Sequence, residues 1–240
     1  VTLPERFIVV IPVYNHGRTL AAVVRKCMKS GFAVIVVDDG STDGGSHAVQ
    51  DAPPVCVLRH GVNRGKGAAL LTGMRAAVAQ GADWAITLDA DGQHDPEEAH
   101  VLIQALRDVP PETRPIVVGC RKAMLAAGAP WTSRFGREFS NFWIKMAGGP
   151  LTTDSQSGFR IYPLPEVLDL GVTARRYQFE IEVLVKAGWH GIPVIEAPIG
   201  VIYPPGRERI SHFHPFFDFL RNTGMFTRLI TQRVMHGMPQ

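Results

Sequence analysis

Short apolar runs rich in β-branched residues alternate with helix-period segments, and this alternation limits what the chain can fold into more than any other feature. FIVVIPVY (residues 7–14) is a continuous apolar run of the kind that forms a strand buried on both faces. In the segment that follows, Leu20, Val23, Val24, Cys27 and Met28 recur on one helical face before Gly31, a residue suited to ending a helix. The rhythm continues with strand AVIVVDDG (33–40), strand VCVLRH (55–60), helix GKGAALLTGMRAAVAQG (65–81), strand WAITLDAD (84–91), a helix opening at Pro96 and strand IVVGC (116–120). Asp95 is placed to cap that last helix, with Glu98 three residues on to complete a capping box. Such a pattern predicts βαβ units: an α/β fold with a single, Rossmann-like, mostly parallel sheet flanked by helices. With 240 residues, 45% of them hydrophobic, the chain can bury the core this sheet needs. Ligands are then expected at the carboxyl ends of the strands.

After Arg121 the pattern loosens into a stretch of small, aromatic and basic residues, read as a helical or lid-like insertion. Strand GFRIYP (158–163), helix YQFEIEVLVKAGW (177–189) and strand IPVIEAPIGVIYPP (192–205) restore the order. The sequence then divides into a main domain over residues 1–210 and a basic amphipathic helical tail over 211–240, expected in two pieces broken near Gly224. From Pro205 onward Arg207, Arg209, Arg221, Arg228 and Arg233 face Glu208 and Asp218, so the net charge of +3 is local to this end and too mild to imply nucleic acid. Arginines interleaved with Phe213, Phe216, Phe217 and Phe226 suit either an interfacial helix on anionic headgroups or a helix packed on its own domain. Cys27, Cys56 and Cys120 are odd in number and embedded in apolar segments, which predicts free thiols in a reducing, cytoplasmic setting. No leader-like pattern opens the chain and no apolar run approaches a membrane span, so secretion and membrane spanning are not expected.

The chemistry concentrates at strand ends. Asp89 and Asp91 flank Ala90 where a strand gives way to a loop, and closely spaced hard oxygen ligands suit Mg2+ or Mn2+, with Gln93 and His94 able to complete or orient the shell. The other reading of this stretch is a solvated turn, which best accounts for Asp95. Asp38 and Asp39 form a second acidic strand end, where an acid can accept hydrogen bonds from ribose hydroxyls. GVNRGKGAA (61–69) is not a Walker A loop: three residues rather than four separate its glycines, and Gly67 follows Lys66 where Ser or Thr is required. The first strand runs into PVYNHG instead of a G-x-G-x-x-G turn, which excludes a dinucleotide dehydrogenase. His212 and His214 have no third ligand at suitable spacing, so zinc is not expected.

Six ordered motifs, IPVYNHGRTL, VVDDGSTD, NRGKGAAL, LDADGQHDP, GCR and DSQSGFRIY, resemble those of family 2 glycosyltransferases of the GT-A fold, nearest to the dolichyl- or polyprenyl-phosphate mannosyltransferase subgroup. The resemblance runs over residues 7–210. It implies that Pro12, Tyr14, Asp38 and Asp39 meet the nucleotide base and ribose, that Lys66 lines the nucleotide, and that Asp89, Asp91 and Gln93 hold the metal. By the same resemblance Arg121 lies near the donor, with Cys120 where serine is usual, and Arg134 and Arg137 fall where acceptor phosphates are gripped. Arg207, Arg209 and His212 fall in a basic loop that covers the donor diphosphate in this family. His16 departs from the pattern, standing where a carboxylate is usual, and the Gln-x-x-Arg-Trp motif of processive synthases is absent.

The resemblance implies an inverting, metal-dependent glycosyltransferase that moves one sugar from a UDP- or GDP-linked donor to a lipid-linked acceptor, a polyprenyl phosphate or a membrane-associated hydroxyl. A phosphate acceptor is already anionic and needs cationic positioning, whereas a hydroxyl needs a base, for which Asp154 is the first candidate, with acceptor positioning its other role. Arg160 reads equally as an ion-pair partner or a phosphate ligand. Glu180 and Glu182, two apart, fall on different helix faces, one toward the acceptor and the other in solvent. The expected workplace is the cytoplasm, at the cytoplasmic face of a membrane. A sugar-nucleotide pyrophosphorylase and a non-catalytic nucleotide-sugar-binding module are the alternatives.

Overall fold

The computed structural model describes residues 5–50, 52, 55–110, 112–121, 131–202 and 215–236. In chain order the elements are β1 (Phe7–Val13), α1 (Gly17–Lys29), β2 (Ala33–Asp38), β3 (Val55–Arg59), α2 (Lys66–Ala79), β4 (Trp84–Thr87), α3 (Ala99–Arg107), β5 (Ile116–Cys120), α4 (Trp131–Met146), β6 (Arg160–Pro163), α5 (Glu166–Asp169), α6 (Phe179–Trp189), β7 (Val194–Pro198) and α7 (Pro215–His236). The strands form one seven-stranded sheet in the order β3-β2-β1-β4-β6-β5-β7. β6 runs antiparallel to both its neighbours, and the remaining pairings are parallel. The chain first winds outward from β1 through β2 to β3, then crosses back with α2 to place β4 on the other side of β1. This reversal leaves a crevice between the carboxyl ends of β1 and β4, the place where open α/β sheets bind ligands.

Alternate residues of β1 explain the unbroken apolar runs. Ile8 and Val10 join a core with Leu70 and Met74 of α2, while Val9, Ile11 and Val13 join a second core with Leu20, Val23, Val24 and Cys27 of α1. Both faces of the strand are therefore covered, so no polar position is tolerated along it. Met28, on the predicted face of α1, is half-buried against the same core. At Gly73 the helix lies so close to β1 that an added Cβ would stand 2.3 Å from Val10 Cγ1. The three cysteines are thiols, not joined in disulfides, and burial pushes the Cys27 thiol up to about 12.

Four local expectations change. β4 ends at Thr87, so the acids at 89 and 91 stand in the loop beyond it. The helix after Asp95 opens with a tight 3-10 turn at Pro96–Glu98 and becomes α-helical from Ala99. Asp95 does cap the turn, accepting from Glu97 N at 3.3 Å, but Glu98 accepts from Gly200 N at 2.7 Å, across from β7, so no capping box forms. The tail helix does not break at Gly224: α7 is continuous from Pro215 to His236. One glycine costs a helix only about 1 kcal/mol relative to alanine, and Met225, Phe226 and Leu229 directly after it are buried in the core beside α6. Phe226 meets Trp143 of α4 at 6.1 Å between ring centres. The insertion expected after Arg121 is represented by α4; residues 122–130 lie outside the described residues. Among the described residues no helix is long and apolar enough to cross a membrane.

Candidate active site

The loop leaving β4 is anchored at its start by Leu88 N donating to Val10 O (3.2 Å) and turns at Gly92, whose φ is +75°. Asp91 Oδ1 accepts from Gln93 N at 2.9 Å, so the second acid stabilises the turn that presents both. Asp89 meets the Lys66 ammonium at 2.6 Å, and the same ammonium lies 2.7 Å from Glu180 of α6. These three groups converge over Gly158, where an added Cβ would stand 2.7 Å from Asp89 Oδ2, 2.8 Å from Lys66 Nζ and 3.1 Å from Glu180 Oε1. A side chain at 158 would fill the cleft floor.

Electrostatics separate the two acids. Burial disfavours the Asp89 carboxylate, but the adjacent Lys66 outweighs it and holds the carboxyl below its usual range. Asp91 is raised, first by burial and then by the charge of Asp89. Burial likewise works against the Lys66 ammonium, yet Asp89 and then Glu180 raise its pKa well above the ordinary value. Buried His94 lies tilted against Phe159, with ring centres 5.5 Å apart, and its Nδ1 has no partner among the described residues; burial lowers its pKa. Among the described residues no three His, Cys, Asp or Glu side chains group as a ready-made metal site. Asp89 and Asp91 still suit a hard divalent ion: two carboxylates share a cleft that a lysine ammonium already partly neutralises, and further oxygen ligands would come from a bound phosphate.

The acids at the end of β2 are buried and engaged. Asp38 accepts from Ser41 N (2.7 Å) and Ser46 Oγ (2.5 Å), and these bonds, against the opposing effect of burial, keep its carboxyl below the usual range. Asp39 accepts from Arg64 N (2.9 Å), Gly65 N (2.7 Å) and His60 Nδ1 (2.6 Å). The amides of the NRGKG loop thus point at a carboxylate of the protein, as expected of a loop that is not a Walker A cradle. Pro12 is buried in β1 opposite Val37, and Tyr14, just beyond the strand, is half-buried. Asn15, at φ +54°, ties this turn to the next by accepting from Thr42 N at 2.9 Å. His16 Nδ1 contacts Tyr14 O at 2.9 Å, within its own turn.

A second polar centre forms where β5 ends. Arg121 and Asp154 make a two-point fork, Nε to Oδ2 at 2.6 Å and Nη2 to Oδ1 at 2.7 Å, with Asp154 fully buried. Glu196 of β7 fixes the turn carrying Asp154, accepting from Thr153 N (2.7 Å), Thr153 Oγ1 (2.7 Å) and Asp154 N (3.1 Å). The Cys120 thiol contacts Thr153 Oγ1 at 2.9 Å. Ile202 N donates to Gln93 O at 2.8 Å, so the segment after β7 is stitched to the acidic loop.

Two further expectations are corrected. Arg160 is fully buried and donates to the carbonyls of Ser157 (2.7 Å), Ser155 (2.7 Å) and Glu180 (2.8 Å), so among its described contacts it braces backbone and is neither an ion-pair partner nor placed for a phosphate. Glu182 is not solvated: it is wholly buried, accepting from Thr173 N and Ala174 N and pairing with Lys186 and Arg228. Arg134 and Arg137 lie on α4, their side chains outside the described residues, as are Arg207, Arg209, His212 and His214. The sequence reading missed Glu196 and His60. Glu196 left a signal, a lone charge inside an apolar strand; His60 left none beyond its place at a strand end.

Comparison with known proteins shows the family. The profile described as glycosyl transferase family 2 matches residues 8–145, more than half of the chain, and the chain belongs to that family. It is 31% identical over 215 residues, covering 81% of this chain and 84% of the relative, to the UDP-N-acetylglucosamine–dolichyl-phosphate N-acetylglucosaminyltransferase of Methanococcus voltae. The undecaprenyl-phosphate mannosyltransferase of Micrococcus luteus is 29% identical over 206 residues, covering 81% of this chain and 82% of the relative. Among solved structures, S. aureus TarS superposes with a TM-score of 0.55 at 16% identity, covering 94% of this chain and 65% of that one, a likeness of fold. The protein is a glycosyltransferase of the GT-A fold, which removes the pyrophosphorylase and the non-catalytic module from consideration.

Proposed function

We propose that the enzyme transfers a single sugar, with inversion, from a nucleotide-diphosphate sugar to a lipid phosphate such as a polyprenyl phosphate. The observation that carries this reading is the cleft at the sheet's reversal, where Asp89, Lys66 and Glu180 meet over a floor without side chain at Gly158. The relatives' names, which specify dolichyl and undecaprenyl phosphates, support the acceptor class. Asp89 and Asp91, with Gln93, would hold Mg2+ or Mn2+. When bound, such an ion supplies positive charge that stabilises the departing diphosphate.

The protein's own residues do the rest. Pro12, Tyr14 and the turns braced by Asp38 and Asp39 bound the nucleotide pocket; Lys66, on its flexible stem, adds positive charge beside the diphosphate. The acceptor's phosphate oxygen attacks the anomeric carbon as the bond from that carbon to the diphosphate oxygen breaks, and the electron pair leaves on the nucleoside diphosphate. An anionic acceptor has no proton to lose, so this step needs aligned cations more than a base. Asp154 then serves by orienting Arg121, and Arg134 and Arg207 are assigned to the acceptor phosphate and the donor diphosphate. A lipid acceptor puts the enzyme at a membrane, and thiols suited to a reducing compartment favour its cytoplasmic face. Phe142 and Met146 of α4 and Val234 and Met235 of α7, all exposed, give it an apolar contact surface, the two helices being joined by Arg233 Nη1 donating to Met146 O at 2.9 Å.

Calorimetry with UDP, GDP and their sugars, with and without Mn2+, followed by product analysis with a panel of lipid phosphates and lipid alcohols, tests the reading. Metal-dependent nucleotide binding lost in Asp91→Asn, and transfer to phosphates but not alcohols, is the expected result. Binding unchanged in Asp91→Asn overturns the metal assignment, and transfer to alcohols alone overturns the acceptor class.

A further inference from the structure

We infer that Lys66 is an internal counter-cation that competes with the divalent ion for Asp89, and that Glu180 is the positioning residue to which Lys66 withdraws when the ion binds. The inference rests on the metal-dependent reading above. Lys66 Nζ sits between the two carboxylates, 2.6 Å from Asp89 Oδ1 and 2.7 Å from Glu180 Oε1, with its side chain 16% exposed. An ammonium and a divalent ion held against one carboxylate repel each other, so each weakens the other's hold on Asp89.

The geometry provides the route. Lys66 stands in the first turn of α2 and reaches the cleft on a four-carbon stem, so its ammonium can shift while the backbone stays fixed. Glu180, in the first turn of α6 and 7% exposed at its side chain, offers a second carboxylate already within 2.7 Å of Nζ. Gly158 keeps this meeting point clear of a side chain, since a Cβ there would stand 2.8 Å from Nζ. Before the donor arrives, Lys66 neutralises Asp89 and keeps metal affinity low. A diphosphate brings negative charge that both the ion and the displaced ammonium can meet, so donor and metal should each strengthen the other's binding.

Mn2+ titration by calorimetry on the full chain, without donor, tests this. Lys66→Met should tighten Mn2+ binding by roughly 10- to 100-fold, the worth of one charge-assisted contact removed from Asp89. Glu180→Gln should weaken it by about tenfold, because the ammonium then has no second carboxylate to move to. The double variant should bind as Lys66→Met does, since Glu180 acts through Lys66. A fall back to wild-type affinity in the double variant would show Glu180 to be a direct ligand and overturn its positioning role. Lys66→Gln, which keeps a polar side chain, repeats the test should the methionine variant melt early. Mn2+ binding equal to or weaker than wild type in both Lys66 variants overturns the inference alone. Absence of Mn2+ binding to every protein, with UDP or GDP present, overturns the metal reading and this inference with it.

Discussion

Gly158→Ala places a methyl group where the ionic groups of the cleft converge. Its Cβ would lie 2.7 Å from Asp89 Oδ2, 2.8 Å from Lys66 Nζ and 3.1 Å from Glu180 Oε1, and all three are ends of side chains that can swing away. Folding should therefore suffer little, at the low end of the about 1–3 kcal/mol usual for overpacking, which lowers Tm by roughly 2–4 °C in a chain of this size. Activity should suffer far more, because displacing the charged groups by about 1 Å is enough to cost on the order of 100-fold in rate. Gly73→Ala is the control. There the added Cβ meets Val10 Cγ1 at 2.3 Å and Val37 Cγ2 at 3.1 Å, branched core side chains with nowhere to go. That variant should lose stability, while the fraction that folds transfers sugar normally. Thermal melts paired with transfer from a radiolabelled donor read both quantities. Gly158→Ala with activity within about twofold of wild type would refute the reasoning, as would a large fall in Tm with undiminished turnover.

Three other outcomes follow from the contacts. Glu182→Gln should lose about 3 kcal/mol near neutrality, as expected when one member of a buried charge network is neutralised; since its hydrogen bonds and cationic partners depress the Glu182 carboxyl against the opposing effect of burial, the wild-type advantage is full above its ordinary value of 4.5 and vanishes as pH falls through the lower folded value, which urea titrations across acidic pH will reveal. Glu196→Gln should loosen the turn holding Asp154 and, through Arg121 beside the donor, lower kcat/KM for the donor about tenfold, with unchanged donor kinetics counting against that role. Phe142→Ser combined with Met235→Ser should reduce flotation with polyprenyl-phosphate vesicles while leaving transfer to a short-chain soluble acceptor intact, and undiminished flotation would show that the lipid is met elsewhere.

Much of the sheet could be read directly from the chain, because burial on both faces demands an uninterrupted apolar strand and leaves no ambiguity over what Ile8 to Val13 do. The strand-end acids were equally legible: a carboxylate directly after such a run has to emerge at the sheet's carboxyl edge. Glu180 and Glu182 mark where this ends. Their spacing put them on different faces, but the assignment of one to solvent failed because the loop at Thr173 and Ala174 and the side chain of Arg228 enclose Glu182. Arg160 was ambiguous for the same reason: nothing nearby in sequence reveals that the carbonyls of Ser155, Ser157 and Glu180 converge on it.

The sequence by itself determined the layers, the register of apolar faces and the edge at which the acids collect, since these follow from local periodicity and the cost of burying polar groups. Tertiary structure alone decided which charges meet. Lys66 with Asp89 and Glu180, Arg121 with Asp154, and Glu196 beneath Thr153 are pairs formed across crossovers, between residues far apart in the chain. Ionic contacts depend on ångström separations that only the completed sheet fixes, and the same holds for the tail, where burial of Met225, Phe226 and Leu229 carries the helix through Gly224.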